Sequence, residues 1–305
     1  MIKYILKRVL FGLMTLFMLI TVTFFLTRLM PGNPFDMANV RQEAQDRILS
    51  FYGLDQPVGQ QYLRYVENIY KGDFGVSYKK AGTTVNELIA AKAPYTLRLG
   101  ALAYLIALAL GIPAGIWMAA TRRESVRGAL ITLTTLGVSV PNYVLALVLM
   151  LVFGVFLHWF PVLGLNSPAH YVLPLVALSV YPTTQIARLV KASYQEAMRQ
   201  DYVLMARAKG IAKIRVSAVH ILKNALVPVI TASGPMLAFL LTGSFVVENI
   251  FTIPGIGKEF VNAVSNRDYT VIMGLTAFIG ILIVGFNLIT DILCTFVDPR
   301  MKLAD

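Results

Sequence analysis

The residues able to do chemistry in this 305-residue chain are few and scattered. A phosphate-cradling loop needs G-x-x-x-x-G-K-[ST], whose backbone amides and lysine hold nucleotide phosphates. The nearest string, residues 252–259, opens on Thr252 and puts Glu259 after Lys258, where Ser or Thr belongs. Gly137-Val138-Ser139-Val140-Pro141 lacks the second glycine of a nucleophile elbow, and no H-E-x-x-H string occurs. His158, His170 and His220 are unclustered, and Cys294 has no Cys or His at metal-binding spacing, so it reads as a buried apolar residue. The expectation is a chain with no catalytic residue, no metal site and no cofactor of its own.

The elements around these residues explain their scarcity. Apolar residues make up 57% of the sequence and charged ones 14%, with a mean hydropathy of +0.67; soluble domains carry about a quarter charged residues. Uncharged runs at 9–27, 99–121, 128–187, 224–247 and 269–290 are long enough to cross a bilayer, the third of them twice. His158 to His170 is rich in turn formers and interfacial aromatics and divides that run into a hairpin. Six spanning helices are expected. The first is an anchor, because its apolar part exceeds a signal peptide's and Met30-Pro31-Gly32 is no small-residue cleavage site.

With both termini placed in the cytoplasm, 16 of the 27 basic residues but only six of the 16 acids fall inside, so ten of the eleven excess positive charges are cytoplasmic. Topology and anionic lipid headgroups therefore account for the basicity, and nucleic-acid binding is not expected. Two regions stand outside the lipid. Residues 31–94 form a mixed-charge external segment with helices expected over 41–52 and 59–70 and a capping box at Thr84 and Glu87. It is either a lid over the spans or a docking surface. Residues 188–223 form a charged cytoplasmic segment in which 196–209 is helix-compatible, Gly210 is a C-cap and 211–222 resumes a helical pattern through Ile214, Ala218, Ile221 and Leu222. It is either an interfacial amphipathic helix or a surface that inserts into a cytoplasmic partner.

Ion-driven carriers place ionisable groups near the midplane, and channels show charged rings or a filter loop. The cores of the six expected spans hold no Asp, Glu, Lys, Arg or His. A subunit that forms a pathway and takes energy from a separate protein is the reading that remains, with a secondary carrier or a membrane scaffold as alternatives of a different class.

From Lys3 to about Pro299 the sequence resembles the B-type inner-membrane permease subunits of oligopeptide and dipeptide ABC importers. The resemblance rests on Arg28-Leu29-Met30-Pro31-Gly32-Asn33-Pro34, Gly53-Leu54-Asp55-Gln56-Pro57, Gly72-Asp73-Phe74-Gly75-Val76-Ser77, Asp201-Tyr202 with Ala206-Arg207-Ala208-Lys209-Gly210, Asn224-Ala225-Leu226-Val227-Pro228, Glu248-Asn249-Ile250-Phe251 with Pro254-Gly255-Ile256-Gly257, and Arg267-Asp268-Tyr269. It implies an all-α membrane protein with a type I importer permease fold, organised as a first span (1–30), an extracytoplasmic helical subdomain (31–95) and a permease core (96–305) with its coupling loop at about 191–223. It also implies a prokaryotic inner or plasma membrane location, a homologous C-type permease as heterodimer partner, two cytoplasmic ATPases that bind ATP and Mg, and an extracytoplasmic peptide-binding protein.

In the family's E-A-A-x-x-x-G coupling loop, Gly210 matches the glycine and Ala206 the second alanine, while Leu204 and Met205 stand in the Glu and first Ala positions. The resemblance thus marks Asp201, Tyr202, Met205, Ala206, Arg207, Ala208, Lys209, Gly210 and Ile211 for ATPase coupling, with Ala206, Ala208 and Gly210 in close packing against it. Uncharged polar groups suit a path that must release its cargo, which points to Thr132, Thr135, Ser139, Asn142, Ser233, Thr242 and Ser244, although Ser and Thr also pack membrane helices. Asp73, Phe74, Pro254, Gly255 and Gly257 are candidates for the outer gate or the binding-protein contact. Nickel, glutathione or another small solute are alternative cargoes.

Overall fold

The computed structural model describes residues 2–30, 35 and 42–297, and among these the secondary structure is helical, with one isolated bridge between Val76 and Thr84. The chain runs through α1 (Ile2–Leu29), α2 (Gln42–Phe51), α3 (Val58–Tyr70), α4 (Val85–Ala120), α5 (Glu124–Ser139), α6 (Asn142–Leu149, continued by a π-helical turn, Met150–Phe156) and α7 (Ala169–Met198). It then forms α8 (Asp201–Ala208), α9 (Lys213–Arg215), a second π-helical turn (Val216–Ile221), α10 (Leu222–Ala225), α11 (Val227–Ile250), α12 (Ile256–Asn266) and α13 (Tyr269–Val297). Helices α1, α4, α11 and α13 are long and apolar enough to cross a membrane. The bent α5–α6 pair adds a fifth where it is counted as one span, and α7 has 30 residues but is less apolar than these.

The third passage departs from a straight helix at Pro141, a position where the sequence allows a kink. It bends by 99° between α5 and α6. Pro141 disfavours helical backbone in the residue before it, and Val140 is accordingly extended (φ −86°, ψ 119°). The second span differs from the one expected, because α4 starts 14 residues earlier than the uncharged run at 99 and passes continuously from the external segment into the core. Its start is the capping box read from the sequence: the Glu87 amide donates to Thr84 Oγ1 at 3.2 Å and the Thr84 amide to Glu87 Oε2 at 2.9 Å.

Packing centres on α4 and α7. A Cβ on Gly115 would lie 2.6 Å from the Ala187 carbonyl oxygen, so the glycine lets the two backbones approach, which is how helices associate where lipid removes the hydrophobic drive between them. A central core (Leu99, Ala107, Leu178, Ile186, Leu240, Phe251) joins α4, α7 and α11. An outer cluster (Val85, Leu88, Ile256, Tyr269, Leu275) joins the start of α4 to α12 and α13. An inner cluster (Ala119, Tyr194, Val203, Ala206, Val216, Ile221) joins the far ends of α4 and α7 to the short helices α8 to α10.

Candidate coupling surface and outer junction

The short helices at the inner end do not form the single 196–209 helix expected. Helix α7 carries through Met198, the chain becomes extended at Gln200, and α8 begins with Asp201 in its first turn, where a carboxylate favours the helix dipole. Helix α8 ends in a Schellman motif: Gly210 takes φ +73°, its amide donates to the Arg207 carbonyl at 3.0 Å, and the Ile211 amide to the Ala206 carbonyl at 3.3 Å. Only glycine adopts this left-handed backbone without steric cost, so Gly210 is the C-cap read from the sequence.

Beyond the turn the inward face also changes. Val216, Ile221 and Ala225 are buried, whereas Ile214 is 84% exposed and Ala218 is exposed, against the expected periodicity. The cause is the π-helical turn, whose wider i→i+5 repeat shifts the inward positions along the chain. The Tyr194 and Ser217 hydroxyls, 2.6 Å apart, tie this turn to α7, and Asn224 Nδ2 donates to the Tyr202 hydroxyl at 2.9 Å.

Of the residues marked for coupling, Asp201, Tyr202, Met205, Arg207, Ala208, Lys209 and Gly210 are exposed, and Ile211 is half-buried against the inner cluster. Ala206 is corrected: at 6% exposure it packs inside this chain beside Val203 and supports the element from within. Leu204, Met205 and Ile214 instead form exposed apolar points, as does Val219, among the exposed Arg207, Lys209, Lys213 and Arg215. Periodicity counted Ile214 as core, and only its failure to fit a π repeat distinguishes it.

The outer end is organised by two buried carboxylates. Glu248, in the last turn of α11, is fully buried. The expected span stopped at Val247 and left this acid outside it. Its Oε1 accepts the Thr96 hydroxyl of α4 at 2.8 Å, and its Oε2 accepts the Gly257 and Lys258 amides of α12 at 2.7 and 3.3 Å. Thr96 Oγ1 in turn accepts the Ile256 amide at 2.9 Å. A Cβ on Gly255 would meet Glu248 Oε2 at 2.3 Å, and one on Gly257 the Phe245 Cα at 2.4 Å. These glycines are buried and make room for the carboxylate, so of the two roles expected of them, outer gate or binding-protein contact, direct contact with an external partner does not fit; Pro254 is half-buried beside them.

Asp268 plays the matching role at α13. Its Oδ2 accepts the Ser77 hydroxyl, and its Oδ1 accepts the Tyr78 amide at 3.1 Å and the Val271 amide at 3.4 Å. Lys80 pairs with Glu259 of α12 alongside. The Gly72–Ser77 string is thereby fixed to the Arg267–Tyr269 string. Asp73 is exposed and its Oδ1 caps the Gly75 amide at 2.9 Å, while Phe74 packs against α13 at Gly274.

The path candidates separate into three groups. Thr132, Thr135 and Ser139 are exposed along one face of α5, and the Thr135 and Ser139 hydroxyls donate to the Ile131 and Thr135 carbonyls at 2.8 and 2.9 Å. Asn142 is half-buried at the start of α6. Ser233 belongs to the α4–α11 packing, where it accepts the Tyr104 hydroxyl and donates to the Val229 carbonyl at 2.8 Å. The side chains of Thr242 and Ser244 lie outside the described residues.

Residues 111–303 match the family described as binding-protein-dependent transport system inner membrane component, and residues 1–100 match the N-terminal region described for the same membrane components. The chain belongs to this family. The dipeptide transport system permease protein of Lactococcus lactis subsp. cremoris is 39% identical over 303 residues, covering 99% of this chain and 100% of that protein. The oligopeptide transport system permease protein of Haemophilus influenzae is 40% identical over 305 residues, again 99% and 100%.

Among solved structures, an inward-facing form of the MetNI methionine ABC transporter matches with a TM-score of 0.60 and 18% identity over 69% of this chain and 96% of that one. An amino acid ABC transporter chain crystallised with histidines matches at 0.55 and 17% over 68% and 93%. The fold is that of a type I ABC importer permease, and this family member is a multi-pass transport component.

Proposed function

We propose that this chain pairs with a second, homologous permease subunit to form the membrane pathway for short peptides. An extracytoplasmic binding protein delivers the cargo, and two cytoplasmic ATPases dock on the α8–Gly210 surface. The observation that carries the reading is the exposed trio Leu204, Met205 and Ile214 on a charged element whose other face is packed into the ends of α4 and α7. Exposed apolar side chains rimmed by charge mark a protein interface. The inner cluster converts movement of the docked partner into movement of the spans. Full-length identity of about 40% to relatives named for dipeptide and oligopeptide transport supports the peptide cargo.

The cycle follows from two global states. ATP closes the partner ATPases, α8 to α10 move with them, and α4 and α7 tilt so that the pathway opens outward; hydrolysis and release reverse the motion. Nucleotide chemistry belongs to the partners, while this chain supplies contacts that differ between the states. The excess of basic residues on the α8–α10 side supports cytoplasmic termini. The test is reconstitution of the four kinds of subunit in liposomes with labelled short peptides. ATP-dependent uptake is expected; ATPase activity stimulated by the loaded binding protein without peptide uptake would leave the machine intact and move the cargo to nickel, glutathione or another solute.

A further inference from the structure

Helix α4 touches both ends of the machine. Ala119, near its inner end, packs in the cluster with Val203 and Ala206 of α8, and Thr96, near its outer end, donates to Glu248. Between them α4 is one continuous helix of about 35 Å at 1.5 Å per residue, with Pro113 accommodated inside it. At the outer end, the amides of Ile256, Gly257 and Lys258 that open α12 are bonded to Thr96 Oγ1 or Glu248 Oε2. These are groups that a helix leaves without intrahelical partners, and a carboxylate there is favoured by the dipole. Glu248 is fully buried, so losing one of these donors would remove a hydrogen bond that water is not there to replace. With no Cβ at Gly255 or Gly257, the start of α12 closes directly onto the carboxylate, since a Cβ at either would lie 2.3 or 2.9 Å from Glu248 Oε2.

We infer that the Thr96–Glu248 pair is the joint through which α4 moves α12 at the extracytoplasmic end, so that Glu248 is a positioning residue for the transport cycle. This rests on the reading of α8 to α10 as the ATPase-docking element. A continuous helix with one end in the docking cluster and the other bonded to the start of α12 links displacement at one end to displacement at the other. The Lys80–Glu259 pair then carries the 77–80 turn with α12.

The experiment uses the reconstituted complex and reads ATPase activity with and without loaded binding protein. Thr96→Val keeps the side-chain shape and removes the hydroxyl; Thr96→Ser keeps the hydroxyl; Glu248→Gln puts a donor where an acceptor is required. Thr96→Val and Glu248→Gln should each lower the stimulated rate by at least about fivefold, the low end of allosteric couplings, with the basal rate unchanged. The double variant should be no worse than the worse single, and Thr96→Ser should behave as wild type. A fluorophore on Ser265→Cys, on the exposed side of α12, should change emission on ATP addition in wild type and not in Thr96→Val.

Unchanged stimulation in both variants, additive losses, or an emission change that survives Thr96→Val overturns the inference. So does failure of Thr96→Val to assemble where Thr96→Ser assembles, which makes the pair a structural bolt alone. Lack of any stimulation in the wild-type complex overturns the docking reading and this inference with it.

Discussion

Gly210 and Ala206 sit four residues apart in one motif and do different work. Gly210 holds φ +73° with nothing within 4 Å of a would-be Cβ, so the constraint on it is conformational. Gly210→Val places a β-branched residue in the left-handed region at a cost of about 1–2 kcal/mol. Peptide uptake should fall while the complex remains assembled, as read by transport and by size-exclusion of the purified complex. Ala206 is constrained by space. Ala206→Leu should overpack the inner cluster and cost about 1–3 kcal/mol, lowering the chain's own thermal midpoint. Met205→Ala, at an exposed position, should leave that midpoint unchanged and weaken ATPase association in a pull-down. If Ala206→Leu weakens association at an unchanged midpoint, the inward assignment of Ala206 is wrong.

At the scale of elements, what was legible in the sequence depended on whether the deciding force was local. The Thr84–Glu87 capping box, the Gly210 cap and the stop before Pro141 are set by residues within four positions of each other, and each stands where the sequence puts it. The π-helical turn at 216–221 is not local in this sense: its side chains meet α7 and α8, and tertiary packing chose a repeat that hydrophobic periodicity does not count. Glu248 and Asp268 were visible inside the motif strings, but their roles come from pairing positions 152 and 191 residues away, with Thr96 and Ser77. Asp268→Ala should remove the N-terminal cap of α13 and leave the Ser77 hydroxyl and Tyr78 amide without that acceptor, at a cost of about 1–3 kcal/mol. The 78–83 turn should become the first site of limited proteolysis, and Asp268→Asn, which keeps an acceptor oxygen, should restore much of the protection.

At the scale of the whole molecule, the exposed faces of α1 and α5 differ in their chemistry. Helix α1 packs on α13 and presents Leu6, Leu10, Phe11, Leu13, Met14, Phe17 and Met18 outward, a surface matched to hydrocarbon. Helix α5 packs on α7, where a Cβ on Gly137 would lie 2.5 Å from Thr184, and presents a mixed surface, with Thr132, Thr135 and Ser139 exposed beside Leu133 and Leu136. The Thr135 and Ser139 hydroxyls are satisfied by their own helix, so they tolerate an apolar setting yet remain able to exchange bonds with a passing peptide. If that face lines the path between two permease subunits, Thr135→Trp should obstruct it: uptake should drop about tenfold or more, equivalent to about 1.4 kcal/mol on the transport barrier, while stimulated ATPase activity persists. Leu10→Trp on the lipid side of α1 serves as the control and should leave both rates unchanged. Equal uptake in the two variants would place the α5 face against lipid and move the pathway to another side of the bundle.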